Sequence, residues 1–345
     1  RMLTGQLGKI YMYTPLRNSL TIATGATFLA LIIGGSLAWL VIRTDMPGRK
    51  LVNQLALIPY IMPSWTLAQA WLVFFKNRLS GGPPGVFEFL TGQSPPNWLA
   101  YGPVPIMICS ALHYYTFFFL FVSAALMSID SNLEEAGELA GASRRRILRK
   151  ITFPLVMPAI LSGVIMTFSK VVGTFGGPNI LGTPIRYYVV STMIRGSIGV
   201  GDRADAFVLA IVLILFSLVI INLNQKVVGT RKSYETIGGR GFVAQVSKLG
   251  GLKQVFLVAV IIFQILVIVV PLAAIVFFTS TEILSPADAT EGLSRVQSGL
   301  FRTLAFLEGA LASGFIGFLG MWLATRANVR TAAAARTGSM DEAMQ

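Results

Sequence analysis

The chain is built from runs of about twenty apolar residues, the length an α-helix needs to cross the hydrocarbon core of a bilayer. Seven such runs stand out, at 20–42, 51–75, 104–128, 154–175, 206–225, 252–279 and 301–324. Backbone in lipid must satisfy its own hydrogen bonds, so runs of this length fold as helices. The expected fold is all-α, a polytopic transmembrane helical bundle. Composition agrees: 54% of residues are hydrophobic and 12% are charged, against about a quarter charged in soluble domains. Pro59 and Pro63 fall inside the second run, which is expected to be kinked or broken there.

Charge orients the spans. One side receives Arg43, Arg49 and Lys50, the cluster Arg144, Arg145, Arg146, Arg149 and Lys150, the basic linker 226–253, and Arg326, Arg330 and Arg336. That side holds seventeen of the 28 Lys and Arg, the other holds ten, and Lys170 lies within a span. The richer side is expected to be cytoplasmic. The Pro/Gly-rich loop 76–103 and the loop 176–205 then face outward. The formal net charge of +13 is explained by this topology, so it does not call for nucleic acid. The single Cys109 excludes an intrachain disulfide and sits in an apolar run, where it reads as packing.

The first and last runs resemble each other. Aligned at an offset of 283, Gly34 meets Gly317, Trp39 meets Trp322, Leu40 meets Leu323 and Arg43 meets Arg326. Both end in Trp-Leu-x-x-Arg at the cytoplasmic edge. This points to internal duplication of the kind found in transporters. On that reading, 1–228 is a first domain lacking its opening span, 229–251 is a cytoplasmic linker, and 252–345 starts a second, truncated copy. Arg1 is not a start residue, so the chain is expected to be a window on a longer, two-copy protein. The alternative is a single irregular seven-span protein.

Between the third and fourth runs lies SNLEEAGELAGASRRRILRKITFP, residues 131–154. A polar segment there has no packing role in lipid and reads as a cytoplasmic handle for another protein. Ser131 with Glu134 fits a capping box, and Glu134, Glu135 and Glu138 suit the positive helix N-terminus. Leu133, Ala136, Gly137 and Ala140 share one face, almost all small, which permits close approach of another surface. Gly141 suits a helix C-terminal cap. The basic cluster behind it favours anionic membrane lipid. Pro154 suits the first turn of the next span.

This stretch resembles the EAA motif of ABC importer permeases. Glu135-Ala136-Gly137, then Gly141, then Ile151-Thr152-Phe153-Pro154 keep both spacings of that motif. Gly137 replaces an Ala and Phe153 a Leu, each keeping size class or apolarity. The resemblance implies a coupling helix near 131–141 that docks on cytoplasmic ABC ATPase subunits, with Glu135, Ala136, Gly137, Gly141 and Pro154 making or shaping the contact. It also implies a periplasmic substrate-binding protein as partner, no cofactor, and residence in the bacterial inner membrane. The spans 19–225 resemble one such permease domain. The linker YETIGGRGF and the restart of spans resemble the fused ferric-iron importer type, which makes ferric ion the first expectation for substrate. Thiamine, polyamine, phosphonate and sulfate permeases are related.

Polar groups within spans are functional candidates by default. Lys170 either snorkels to the outer interface or lines a translocation path. His113 either makes a structural hydrogen bond or faces the path. Thr174 and Asn179, in the breaker-rich turn 173–179, either line an outer gate or simply end a helix. No Gly-x-x-x-x-Gly-Lys-Ser/Thr phosphate loop occurs, so ATP hydrolysis is expected in a separate subunit. An ion-coupled secondary transporter needs paired intramembrane carboxylates, and only Glu308 is offered. A membrane-embedded enzyme needs clustered His, Asp and Glu, and one His with few acids disfavours it.

Overall fold

The computed structural model describes residues 8–81, 84–229 and 247–272, with six scattered positions beyond 300. Among the described residues the regular structure is helical, apart from one isolated bridge between Thr44 and Ser247. Two compact units divide at Ile275 and Val276; the described architecture belongs to the first.

Helix α1 runs Thr14–Arg43, with Pro15 in its first turn, where a missing N–H costs no helix bond. It is followed by α2, Arg49–Leu55, and after a sharp break by α3, Ser64–Phe75. The long α4, Pro103–Met127, forms the centre. The polar segment between the third and fourth runs forms α5, Ser131–Leu139. Then come α6, Phe153–Val172, α7, Gly176–Gly182, α8, Val190–Gly199, and α9, Arg203–Gly229. Helix α10, Lys253–Gln264, follows the linker.

Among the described residues five helices are long and apolar enough to cross a membrane, or six if a bent pair is one span. The expected seventh span, 301–324, lies almost wholly outside the described residues, so seven is not the number found among them. The bent pair is the second run, turned by 92° between 49–61 and 64–75. Pro63 forces Met62 into extended backbone (ψ 145°). Carbonyls freed by the break are met by α4. The Thr116 hydroxyl donates to the Ala56 carbonyl at 3.0 Å, and His113 hydrogen-bonds the backbone of Pro59. Pro59 has no N–H, so its carbonyl accepts, as a broken span in lipid requires.

The core is the contact of α1 with α4. Ala26, Ala30, Gly34 and Ala38 recur every fourth residue on α1 and are buried. Small residues in that register let helix backbones approach closely. A Cβ on Gly34 would lie 2.3 Å from the Tyr115 carbonyl oxygen and 2.9 Å from the Phe119 nitrogen. Gly163 on α6 receives the Phe118 ring in the same way, at 2.6 Å. Tyr115, Phe118 and Phe119 are buried, so the aromatic run of α4 is core rather than lipid-facing surface. By contrast, α9 turns Phe207, Ile211, Leu215 and Val219 outward.

Candidate functional site: a capped helix at the charged end of the bundle

Three loops assigned to one side by charge meet at one end of the bundle. The Glu134 carboxylate on α5 accepts from both terminal nitrogens of Arg43, at 2.7 and 3.0 Å. It also accepts from the Thr152 hydroxyl at 2.7 Å. All three residues are buried. The Ser247 N–H donates to the Arg43 carbonyl at 2.9 Å, and the Leu249 N–H donates to the Asp45 carboxylate at 2.8 Å. The end of α1, the handle, the entry to α6 and the linker are thus joined.

Helix α5 is capped differently from the capping-box expectation. Asp130, not Ser131, caps it, accepting from the Asn132 N–H at 3.0 Å. Glu134 does not reach back to the cap because its carboxylate is engaged by a guanidinium, a stronger partner than a backbone amide. The C-terminus is as expected. Gly141 takes φ +79°, its N–H bonds the Glu138 carbonyl, and the Ala142 N–H bonds the Gly137 carbonyl. This pair is the Schellman closure, which needs a left-handed residue at that position.

The small-residue face is divided. Gly137 turns inward, where a Cβ would meet Ile147 at 3.2 Å and Ile151 at 3.3 Å. Leu133, Glu135, Ala136, Leu139 and Ala140 remain exposed. Leu139 is 90% exposed, an unpartnered apolar side chain beside two free carboxylates. Pro154 lies in the first turn of α6, directly after a π-helical turn at Leu148–Thr152. The wider turn gives room to a proline ring that would otherwise crowd the carbonyl four residues back. The basic segment therefore runs into the span as one rod, Arg144–Val172. A cleft of about 480 Å³ opens beside the Arg43–Glu134 pair, lined also by Trp39, Glu138, Arg144, Arg145, Thr152 and Ser247.

The remaining predicted residues lie away from the handle. Thr174 is buried, its carbonyl accepts from the Ser191 hydroxyl at 2.7 Å, and its side chain hydrogen-bonds Tyr114. His113 is buried with its ring 4.5 Å from that of Tyr114 and 5.7 Å from Tyr60. His113 and Thr174 thus share a neighbourhood beside the broken span. Lys170, in the last turn of α6, and Asn179, on α7, are exposed. At this outer end Asn18 donates to the Tyr188 carbonyl at 2.9 Å and the Val190 N–H to the Ser19 hydroxyl at 3.0 Å. Burial pushes the nearby Tyr187 phenol up from its ordinary value, against the pull of Arg17.

Arg43 was visible in the sequence only as a topology charge and as the last match of the internal repeat. The Trp-Leu-x-x-Arg ending was the signal that it does more. Its counterpart Arg326 lies outside the described residues.

A helical bundle with several apolar spans and a capped, half-exposed helix at its charged end has the form of a multi-pass membrane protein. The chain belongs to the binding-protein-dependent transport system inner membrane component family, whose model matches residues 26–232. It is 28% identical over 175 residues to a molybdate/tungstate transport system permease protein of Thermococcus kodakarensis, covering 51% of this chain and 63% of that one. It is 27% identical over 263 residues to a ferric transport system permease protein of Actinobacillus pleuropneumoniae, covering 73% of this chain and 36% of that one. A molybdenum permease of Escherichia coli is 27% identical over 59% of this chain and 88% of its own length. The chain thus spans about a third to two thirds of the first relatives it matches. Among solved structures, the inward-facing MetNI methionine ABC transporter aligns with TM-score 0.50 and 17% identity, over 66% of this chain and all of that one. A bacterial ABC transporter for the polysaccharide alginate aligns with TM-score 0.50 and 20% identity. At that identity the likeness is one of fold. A second family model, inorganic H+ pyrophosphatase, matches residues 207–345. It covers less than half of the chain.

Proposed function

We propose that this protein is the permease of an ATP-driven importer, in which α5 docks on a cytoplasmic ATPase subunit and substrate arrives on an external binding protein. The observation that carries this is the geometry of α5. A helix closed by a left-handed Gly141 presents Leu133, Glu135, Ala136 and Leu139 outward while its opposite side is fixed to the spans. The domain reading belongs with it: 1–228 as a first permease domain, 229–251 as linker, and 252–345 as the start of a second copy. The longer alignment to the ferric relatives, which covers 73% of this chain, supports that two-copy reading.

Ferric ion is the proposed substrate on the same ground, with molybdate and sulfate as the alternatives that other relatives' names favour. As part of this reading, selectivity is assigned to the binding protein; among the described residues no group of three or more His, Cys, Asp or Glu could hold a metal. Lys170, Thr174, Asn179 and His113 are proposed only as pathway candidates. The test is uptake of radiolabelled ferric ion, molybdate and sulfate by cells expressing the complete transporter, together with co-purification of an ATPase. Expected are ATP-dependent uptake of ferric ion and loss of at least tenfold in Gly141→Trp, with the protein still in the membrane. Wild-type uptake in Gly141→Trp, or purification with no ATPase, overturns the reading.

A further inference from the structure

We propose that Arg43, Glu134 and Thr152 are the positioning node that makes the docking helix move as one body with the first and fourth spans. The proposal rests on α5 being a docking helix, and goes on to say how its displacement reaches the membrane.

The outward face of α5 carries no residue tied to the spans. Its inward side is tied at two places. One is the apolar seat of Gly137 against Ile147 and Ile151, which resists pushing but can slide, because such contacts have no direction. The other is the Glu134 carboxylate. Both its oxygens are engaged by both terminal nitrogens of Arg43. A two-point fork fixes rotation as well as distance, whereas one bond would leave a swivel. The third bond, from Thr152, attaches the same carboxylate to the entry of α6. Among the described residues Arg43 Nε is buried with no partner, and Glu134 is the carboxylate that meets the charge of Arg43. The Arg43 carbonyl holds Ser247, so the linker follows the same residue. Glu134 is adjacent in sequence to the exposed Glu135, which places the node one residue behind the docking face.

Arg43→Lys separates the fork from the charge, since Lys is a point donor without the planar pair. Thr152→Val removes only the third bond. Leu51 is exposed and follows α1, and Asn132 is exposed on α5. Cys109 is buried and will not compete for labelling. Spin labels at Leu51→Cys and Asn132→Cys in the full protein in detergent should give a narrow distance distribution. In Arg43→Lys it should broaden at least twofold, and in Thr152→Val less. A second reporter, Val200→Cys at the exposed outer end, reads the far side through its labelling by an impermeant maleimide. With the ATPase assembled, ATP plus vanadate should change that rate about fivefold in the parent and less than twofold in Arg43→Lys, at equal ATPase co-purification. The swap Arg43→Glu with Glu134→Arg should recover part of the response. A narrow distribution and a full ATP response in Arg43→Lys overturn the node alone. A parent with no ATP response overturns the importer reading and the node together.

Discussion

The two ends of the bundle are held by different physics. The end that carries the basic loops is concentrated: one buried carboxylate collects three charged or hydroxyl donors from two other segments. The outer end is distributed among neutral bonds. Asn18 and Ser19 meet the 188–190 backbone, the Gly102 N–H meets the Leu181 carbonyl at 2.8 Å, and the Trp71 indole donates to the Leu99 carbonyl at 2.8 Å. Among the described residues its one ion pair, Arg78 with Glu88, buries the Glu88 carboxylate but leaves the Arg78 side chain 86% exposed. A neutral bond nets only about 1 kcal/mol, so no single bond dominates and the outer loops can rearrange piecemeal. A buried ion pair behaves as a unit, because removing one partner strands the other charge.

That contrast can be broken in order of size. Glu134→Ala leaves Arg43 buried without its counter-charge and should cost about 3–5 kcal/mol. Thermal unfolding in detergent and membrane abundance would read this, and a wild-type midpoint would refute the concentrated-end description. Gly141→Val should cost about 1–2 kcal/mol, because a side chain at φ +79° is strained, whereas Gly141→Asn should be nearly neutral. A Cβ there meets nothing within 4 Å, so equal losses for Val and Asn would show that something other than backbone strain acts. Asn18→Ala at the outer end should cost about 1 kcal/mol, since it removes one neutral bond to the Tyr188 carbonyl. A loss as large as that of Glu134→Ala would erase the distinction between the ends.

Much of the membrane architecture was legible locally. Apolar run length placed the spans, Pro59 and Pro63 marked the bend, and the charge count put Arg43, Glu134 and Ser247 on one side. The bridge and ion pair then bring them together. Helix α5 was legible too, since Gly141 ends it by a rule that acts within five residues. The capping residue was misplaced by one because the local pattern offered Glu134 a nearby backbone donor, and a charged donor elsewhere outcompeted it. The small face of α5 was legible as a face, but not that Gly137 would be spent on Ile147 and Ile151. The every-fourth small residues of α1 were available and unread; they show which face meets α4.

The sequence by itself determined that this is a helical membrane protein, on which end its basic loops gather, and where helix α5 ends. Each of those follows from hydrophobicity, charge or backbone conformation within a few residues. Only the tertiary structure decided that Arg43 belongs to Glu134, 91 residues away, and that Thr152 completes the group. Either basic residues of the 144–150 cluster or Arg43 could have met that carboxylate by charge alone. The close seat of Gly34 against α4 brings the end of α1 beside the handle, and burial there makes the pairing obligatory.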